Sequence, residues 1–136
     1  MSIHIMLVED NPSDIELIMT AFEESNIDAK FTVYRDGEEA IKGVRNLAND
    51  VSGMPKIAFL DLNLPRASGH EVLAAIRELR AFDDMPVLVF STSNHPIDRT
   101  RCMAAGASDY LVKPPYFSEL LALVKNISIR WLQTTP

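Results

Sequence analysis

Short, almost wholly apolar runs recur along this chain at regular intervals, separated by longer stretches with helical spacing, and this alternation restricts the fold more than any other feature. A strand buried on both faces reads as a continuous run of Val, Ile, Leu and Phe, because helices cover the sheet above and below. The runs predicted as strands are Ile3 to Val8, Lys30 to Tyr34, Ile57 to Asp61, Val87 to Ser91 and Asp109 to Val112. The spacers carry helix signals. Asn11 is a cap ahead of Pro12, and Ile15, Ile18, Met19 and Phe22 follow at helical spacing. A second helix is predicted from about Gly37 to Leu47. A third opens at the Ser68-x-x-Glu71 capping box, ahead of Val72, Leu73, Ile76 and Leu79. A fourth starts near Pro96 and stops at Gly106, a residue suited to the left-handed position after a helix, and a fifth spans Phe117 to Leu132. The expected class is α/β, a doubly wound sandwich whose sites gather beyond the carboxyl ends of the strands.

A chain of 136 residues buries roughly two-thirds of its extended surface on folding, enough for one core. No repeat or Gly/Ser-rich linker divides residues 1–136, so a single domain is expected, with Asn49 to Pro55 as an extended loop. The net charge of -6 repels phosphate backbones, which argues against nucleic acid as a partner. Cys102 is the only cysteine, no apolar run approaches the roughly 20 residues of a membrane span, and the amino terminus lacks a secretion signal. A cytoplasmic address and no membrane contact are the expectations.

The chemistry lies at the predicted strand ends. Glu9 and Asp10 follow the first strand and Asp61 closes the third; if these strands are neighbours, three carboxylates converge. Crowded carboxylates repel, so they need raised pKa values or a bound cation, and hard oxygen ligands with room for water favour magnesium. Each acid taken singly would merely cap a strand or start a helix. Ser91, followed by Thr92 and Ser93, brings a hydroxyl to the same rim, although such a residue more often just forms a turn. Lys113 ends the fifth run, its backbone restricted by Pro114 and Pro115; beside carboxylates it would act as a point charge on a phosphoryl group rather than as an ordinary solvated lysine. His4, His70 and His95 show no ligand spacing.

Through Val8-Glu9-Asp10-Asn11, Phe59-Leu60-Asp61-Leu62-Asn63-Leu64-Pro65, Gly69, Ser91-Thr92 and Tyr110-Leu111-Val112-Lys113-Pro114, the sequence resembles the receiver domains of two-component response regulators over essentially its whole length. Within that family it looks most similar to stand-alone receivers paired with phytochrome-type sensor kinases, through Glu9-Asp10-Asn11-Pro12-Ser13-Asp14, Leu62-Asn63-Leu64-Pro65 and the longer loop before the third strand. The resemblance implies a (βα)5 flavodoxin-like, CheY-like fold with parallel strand order 2-1-3-4-5. It further implies that Asp61 accepts a phosphoryl group from a sensor histidine kinase, that magnesium is held by Asp10, Asp61, Glu9 and the carbonyl of Asn63, and that Lys113, Ser91 and the Thr92 N–H grip phosphoryl oxygens. Ser91 and Tyr110 would form the switch, Lys113-Pro114 a cis peptide, and the fourth helix, fifth strand and fifth helix the output face, read by a downstream protein or phosphotransfer partner.

Two residues depart from the family pattern: Pro115 further limits the turn after Lys113, and Ser68 stands where an acid often precedes Gly69. On the fifth helix Phe117, Leu120, Leu121, Val124, Ile127 and Trp131 form a core stripe, whereas Leu123 and Ile129 fall outside it and suit a homodimer or partner contact. The alternative is a degenerate receiver acting as an unphosphorylated protein-binding module; its usual mark is a missing acidic or lysine residue, and the presence of Glu9, Asp10, Asp61, Ser91 and Lys113 argues against it. A phosphatase of the haloacid-dehalogenase type needs a second acid two residues after the nucleophile, where Asn63 stands. The expected activity is that of a phosphoacceptor rather than of a turnover enzyme.

Overall fold

The computed structural model describes residues 2–132. It contains β1 (Ile3–Val8), α1 (Pro12–Glu24), β2 (Ala29–Tyr34), α2 (Gly37–Leu47), β3 (Ile57–Leu60), α3 (Gly69–Glu78), β4 (Val87–Ser91), α4 (Pro96–Ala104), β5 (Asp109–Val112) and α5 (Phe117–Ile127). The strands form one five-stranded sheet in the order β2-β1-β3-β4-β5, parallel throughout. The expected fold class and strand order are therefore the observed ones. No helix among the described residues is long and apolar enough to cross a membrane.

Side chains alternate between the two faces of a strand, and the strand sequences divide accordingly. Ile5, Leu7, Ile57, Phe59, Leu88 and Phe90 meet α1 and α5 through Ile15, Ile18, Phe22, Leu120, Val124 and Ile127. Met6, Val8, Ala58, Leu60, Val87 and Val89 meet α2, α3 and α4 on the other face through Ala40, Val44, Val72, Ile76 and Cys102. Phe22 stands edge-on to Phe31 and to Phe59, with ring centroids 5.6 Å and 5.9 Å apart, an arrangement that aromatic quadrupoles favour.

Local signals hold the helix ends. The Asn11 side chain accepts hydrogen bonds from the N–H groups of Ser13 and Asp14, and Ser68 accepts one from Glu71. After α4, Gly106 takes φ +106°, which a side chain would resist. Two segments differ from expectation. The loop 49–55 contains a 3-10 turn, Val51–Gly53. The fifth helix is α only to Ile127; Ser128–Leu132 winds as a wider π turn, which buries Ser128 and Leu132 and leaves Ile129 64% exposed. The Lys56 ammonium donates to the Leu132 carbonyl at 3.2 Å. At the rim where the strands begin, the Arg77 guanidinium donates to the carbonyls of Gly106 (2.9 Å), Phe82 (2.9 Å) and Met85 (3.0 Å), tying α3 to the segments that lead into β4 and β5.

Candidate functional site

The register sets the opposite rim. Val8 pairs with Leu60 across β1 and β3, and Leu60 with Val89 across β3 and β4, so the residues just past each strand emerge side by side. Backbone bonds fix the exits: the Asp61 N–H donates to the Val8 carbonyl at 3.0 Å, the Glu9 N–H to Tyr34 at 3.0 Å and the Lys113 N–H to Ser91 at 2.7 Å. Ligand sites of doubly wound sheets lie at such a place, where the strand order reverses between β1 and β3.

The structure brings the predicted residues together there. One carboxylate oxygen each from Glu9, Asp10 and Asp61 lies within 4.8 Å of the other two, close enough to share a divalent cation. Glu9 and Asp61 are buried, while Asp10 faces solvent. The Lys113 ammonium closes the cluster, 2.6 Å from Glu9 Oε1, 2.8 Å from Asp14 Oδ2 and 3.0 Å from Asp61 Oδ2. Ser91 is fully buried; its Oγ accepts the Ser93 N–H at 3.2 Å, and Thr92 follows on the exposed rim. The Asn63 N–H donates to Asp61 Oδ1 at 3.3 Å. Oxygen-only donors, a solvent-facing carboxylate and a nearby buried pair fit a hard cation that keeps part of its water, such as magnesium.

Asp14 was not among the predicted site residues. Its signal was its place one helical turn beyond Asp10 on α1, over the same rim. Tyr110, the expected switch partner of Ser91, is buried, and its hydroxyl donates to the Ser93 carbonyl at 2.8 Å. The expected cis Lys113-Pro114 bond is corrected: no peptide bond among the described residues is cis. Lys113 is aimed into the cluster without it, by its backbone bond to Ser91 and the pull of three carboxylates, so the ordinary trans preference stands. The histidines are occupied locally: His4 Nε2 lies 2.7 Å from Thr32 Oγ1, His95 accepts the Ile97 N–H at the start of α4, and His70 lies between Cys102 and Asp98.

Burial pushes Glu9 up to about 7; the Asp61 charge adds to the rise, and hydrogen bonds from Lys113 and the Asn11 N–H oppose it. Burial alone would lower the Lys113 ammonium, but its bonds to Asp14, Glu9 and Asp61 prevail and raise it. Because the folded value for Glu9 lies above the ordinary 4.5, its contribution to stability is fully present below that value and is lost as pH rises through about 7. In magnesium-free buffer, Glu9→Gln should therefore melt close to the parent chain at about pH 5 and above it at about pH 8. Thermal melts across that interval check the sign.

A parallel five-stranded sheet with a carboxylate trio and a lysine at its switch point defines a doubly wound, receiver-type α/β fold. Residues 5–125 match the response regulator receiver domain family, and the chain belongs to it. It is 36% identical over 128 residues to the probable methanogenesis regulatory protein FilR2 of Methanothrix harundinacea, covering 94% of this chain and 83% of that protein. It is 33% identical to the response regulator Rcp1 of Synechocystis sp., over 96% of this chain and 89% of Rcp1; the Mn(2+)-bound form of Rcp1 superposes with a TM-score of 0.83. The phosphorylated cyanobacterial phytochrome response regulator RcpA, 36% identical, superposes with a TM-score of 0.88 over 100% of this chain and 98% of its own.

Proposed function

We propose that this receiver accepts a phosphoryl group on Asp61 from a sensor histidine kinase in a magnesium-dependent reaction. The observation that carries the proposal is the meeting of Glu9, Asp10, Asp61 and Lys113 on one rim, with the ammonium 3.0 Å from Asp61 Oδ2. A carboxylate oxygen of Asp61 attacks phosphorus, the P–N bond of the kinase phosphohistidine breaks, the imidazole leaves with the bonding pair, and an acyl phosphate remains on Asp61. Asp10 and Asp61, with Glu9 and the Asn63 carbonyl, would hold the magnesium, which when bound supplies charge neutralisation for the transferring group. Lys113 and the Ser91 hydroxyl take phosphoryl oxygens, with the Thr92 N–H as a further donor. The chain acts as a single receiver and phosphoacceptor, catalysing only the gain and loss of its own phosphoryl group.

Output follows from the added charge, roughly 1.5 to 2 negative units. When Ser91 turns toward the phosphoryl group its Oγ leaves the Ser93 N–H, and Tyr110, bound to the Ser93 carbonyl, senses the change. The surface of α4, β5 and α5 carries it outward, where Ile97, Val112 and Tyr116 are exposed. That face, with Ile129, offers a contact for a downstream protein, a phosphotransfer partner or a second copy of the chain. Leu123 is half-buried against the α1 and α5 core and contributes less. The likeness to RcpA supports a phytochrome-type kinase as donor, and a cytoplasmic location accords with that partner.

Incubation with acetyl phosphate, followed by intact mass, tests the reading. A single labile phosphate adduct should form with magnesium and be lost with chelator. No adduct with magnesium present would favour the unphosphorylated binding module.

A further inference from the structure

An ammonium has three N–H donors, and Lys113 has three carboxylates within hydrogen-bond distance. Glu9 and Asp61 belong to the oxygen cluster suited to a divalent cation, and Asp14 does not. A divalent cation and an ammonium sharing the same carboxylates repel each other, so cation entry must weaken the bonds from Lys113 to Glu9 and Asp61. Asp14 is the acceptor left over. It sits 29% exposed in the first turn of α1, fixed there by the Asn11 cap and Pro12. A cleft of about 40 Å³ beside it, lined by Asp14, Leu17, Phe90, Lys113 and Pro114, gives the lysine side chain room to lean that way.

We propose that Asp14 is a positioning residue that holds the Lys113 ammonium while Glu9 and Asp61 turn to magnesium, an inference that rests on the metal reading of the site. With Asp14 as anchor, the lysine remains charged and near Asp61, ready for a phosphoryl oxygen. Without it, the ammonium stays on Glu9 and Asp61 and competes with the cation.

Magnesium titrations followed by backbone amide NMR shifts test this in four chains: the parent, Asp14→Asn, Lys113→Met and the double variant. Asp14→Asn should weaken magnesium binding about tenfold in the parent and less than about twofold when Lys113 is already Met. Lys113→Met alone should bind magnesium more tightly than the parent. Equal weakening in both backgrounds would make Asp14 a plain surface charge and overturn the proposal, as would no weakening in the parent; both leave the metal reading intact. No magnesium binding by the parent would overturn the metal reading and this inference together.

Discussion

Asp61→Asn should abolish phosphoryl uptake from acetyl phosphate, by at least about a thousandfold, because an amide cannot supply the anionic oxygen that attacks phosphorus. The substitution is nearly isosteric. An Asn side chain can keep the acceptor that Asp61 Oδ1 offers to the Asn63 N–H, but in that orientation it turns an amide nitrogen toward Lys113, where Oδ2 now accepts at 3.0 Å. Removing this charge also relieves Glu9, whose raised pKa owes part of its height to Asp61, so Glu9 should titrate lower in the variant. Intact mass reads the first effect. Carboxyl NMR across the neutral range reads the second. An adduct surviving on Asp61→Asn would place the phosphoryl group on another residue.

Gly69→Ala should destabilise the fold by about 3 kcal/mol, at the upper part of the range for overpacking, and lower the melting midpoint by about 10 °C. A Cβ at this position would lie 2.2 Å from the Asp61 carbonyl oxygen and 2.6 Å from the Leu62 Cα. Those are backbone atoms, and neither can step aside as a side-chain tip would. The Gly69 N–H also donates to the Leu62 carbonyl at 3.0 Å, so the turn after β3 and the first residue of α3 form one closed unit. Relief of the clash must displace Asp61 itself, and phosphoryl uptake should slow along with the loss of stability. Thermal melts and uptake rates on the same preparation measure both; a midpoint within a degree or two of the parent would show that the turn yields without cost.

Most of the site was legible because each residue ends a hydrophobic run. Glu9 and Asp10 stop β1, Asp61 follows β3, Ser91 closes β4 and Lys113 follows β5, so the periodicity that predicts strands also predicts their rim. What stayed hidden depends on contacts between distant segments. Asp14 and Lys113 lie 99 residues apart and meet only because α1 packs beside α5, against the same sheet face. Arg77 reads in the sequence as one more charged helical residue; that it satisfies three carbonyls emerges only when the segments before β4 and β5 close around it. The π turn was invisible because the apolar spacing of α5 continues through it. The trans bond before Pro114 was beyond reach for another reason: the two isomers of such a bond differ by only about 0.5–1 kcal/mol, so tertiary context decides.

Arg77 has a consequence for how this molecule can change over generations. Its three bonds knit the end of the sheet where strands begin, while Asp61, Ser91 and Lys113 occupy the end where strands finish. The Arg77 bonds thus hold the sheet together at the end remote from Asp61. Exposed loop positions near Asp61, such as Thr92, can therefore vary while the guanidinium anchor keeps the opposite end of the sheet tied.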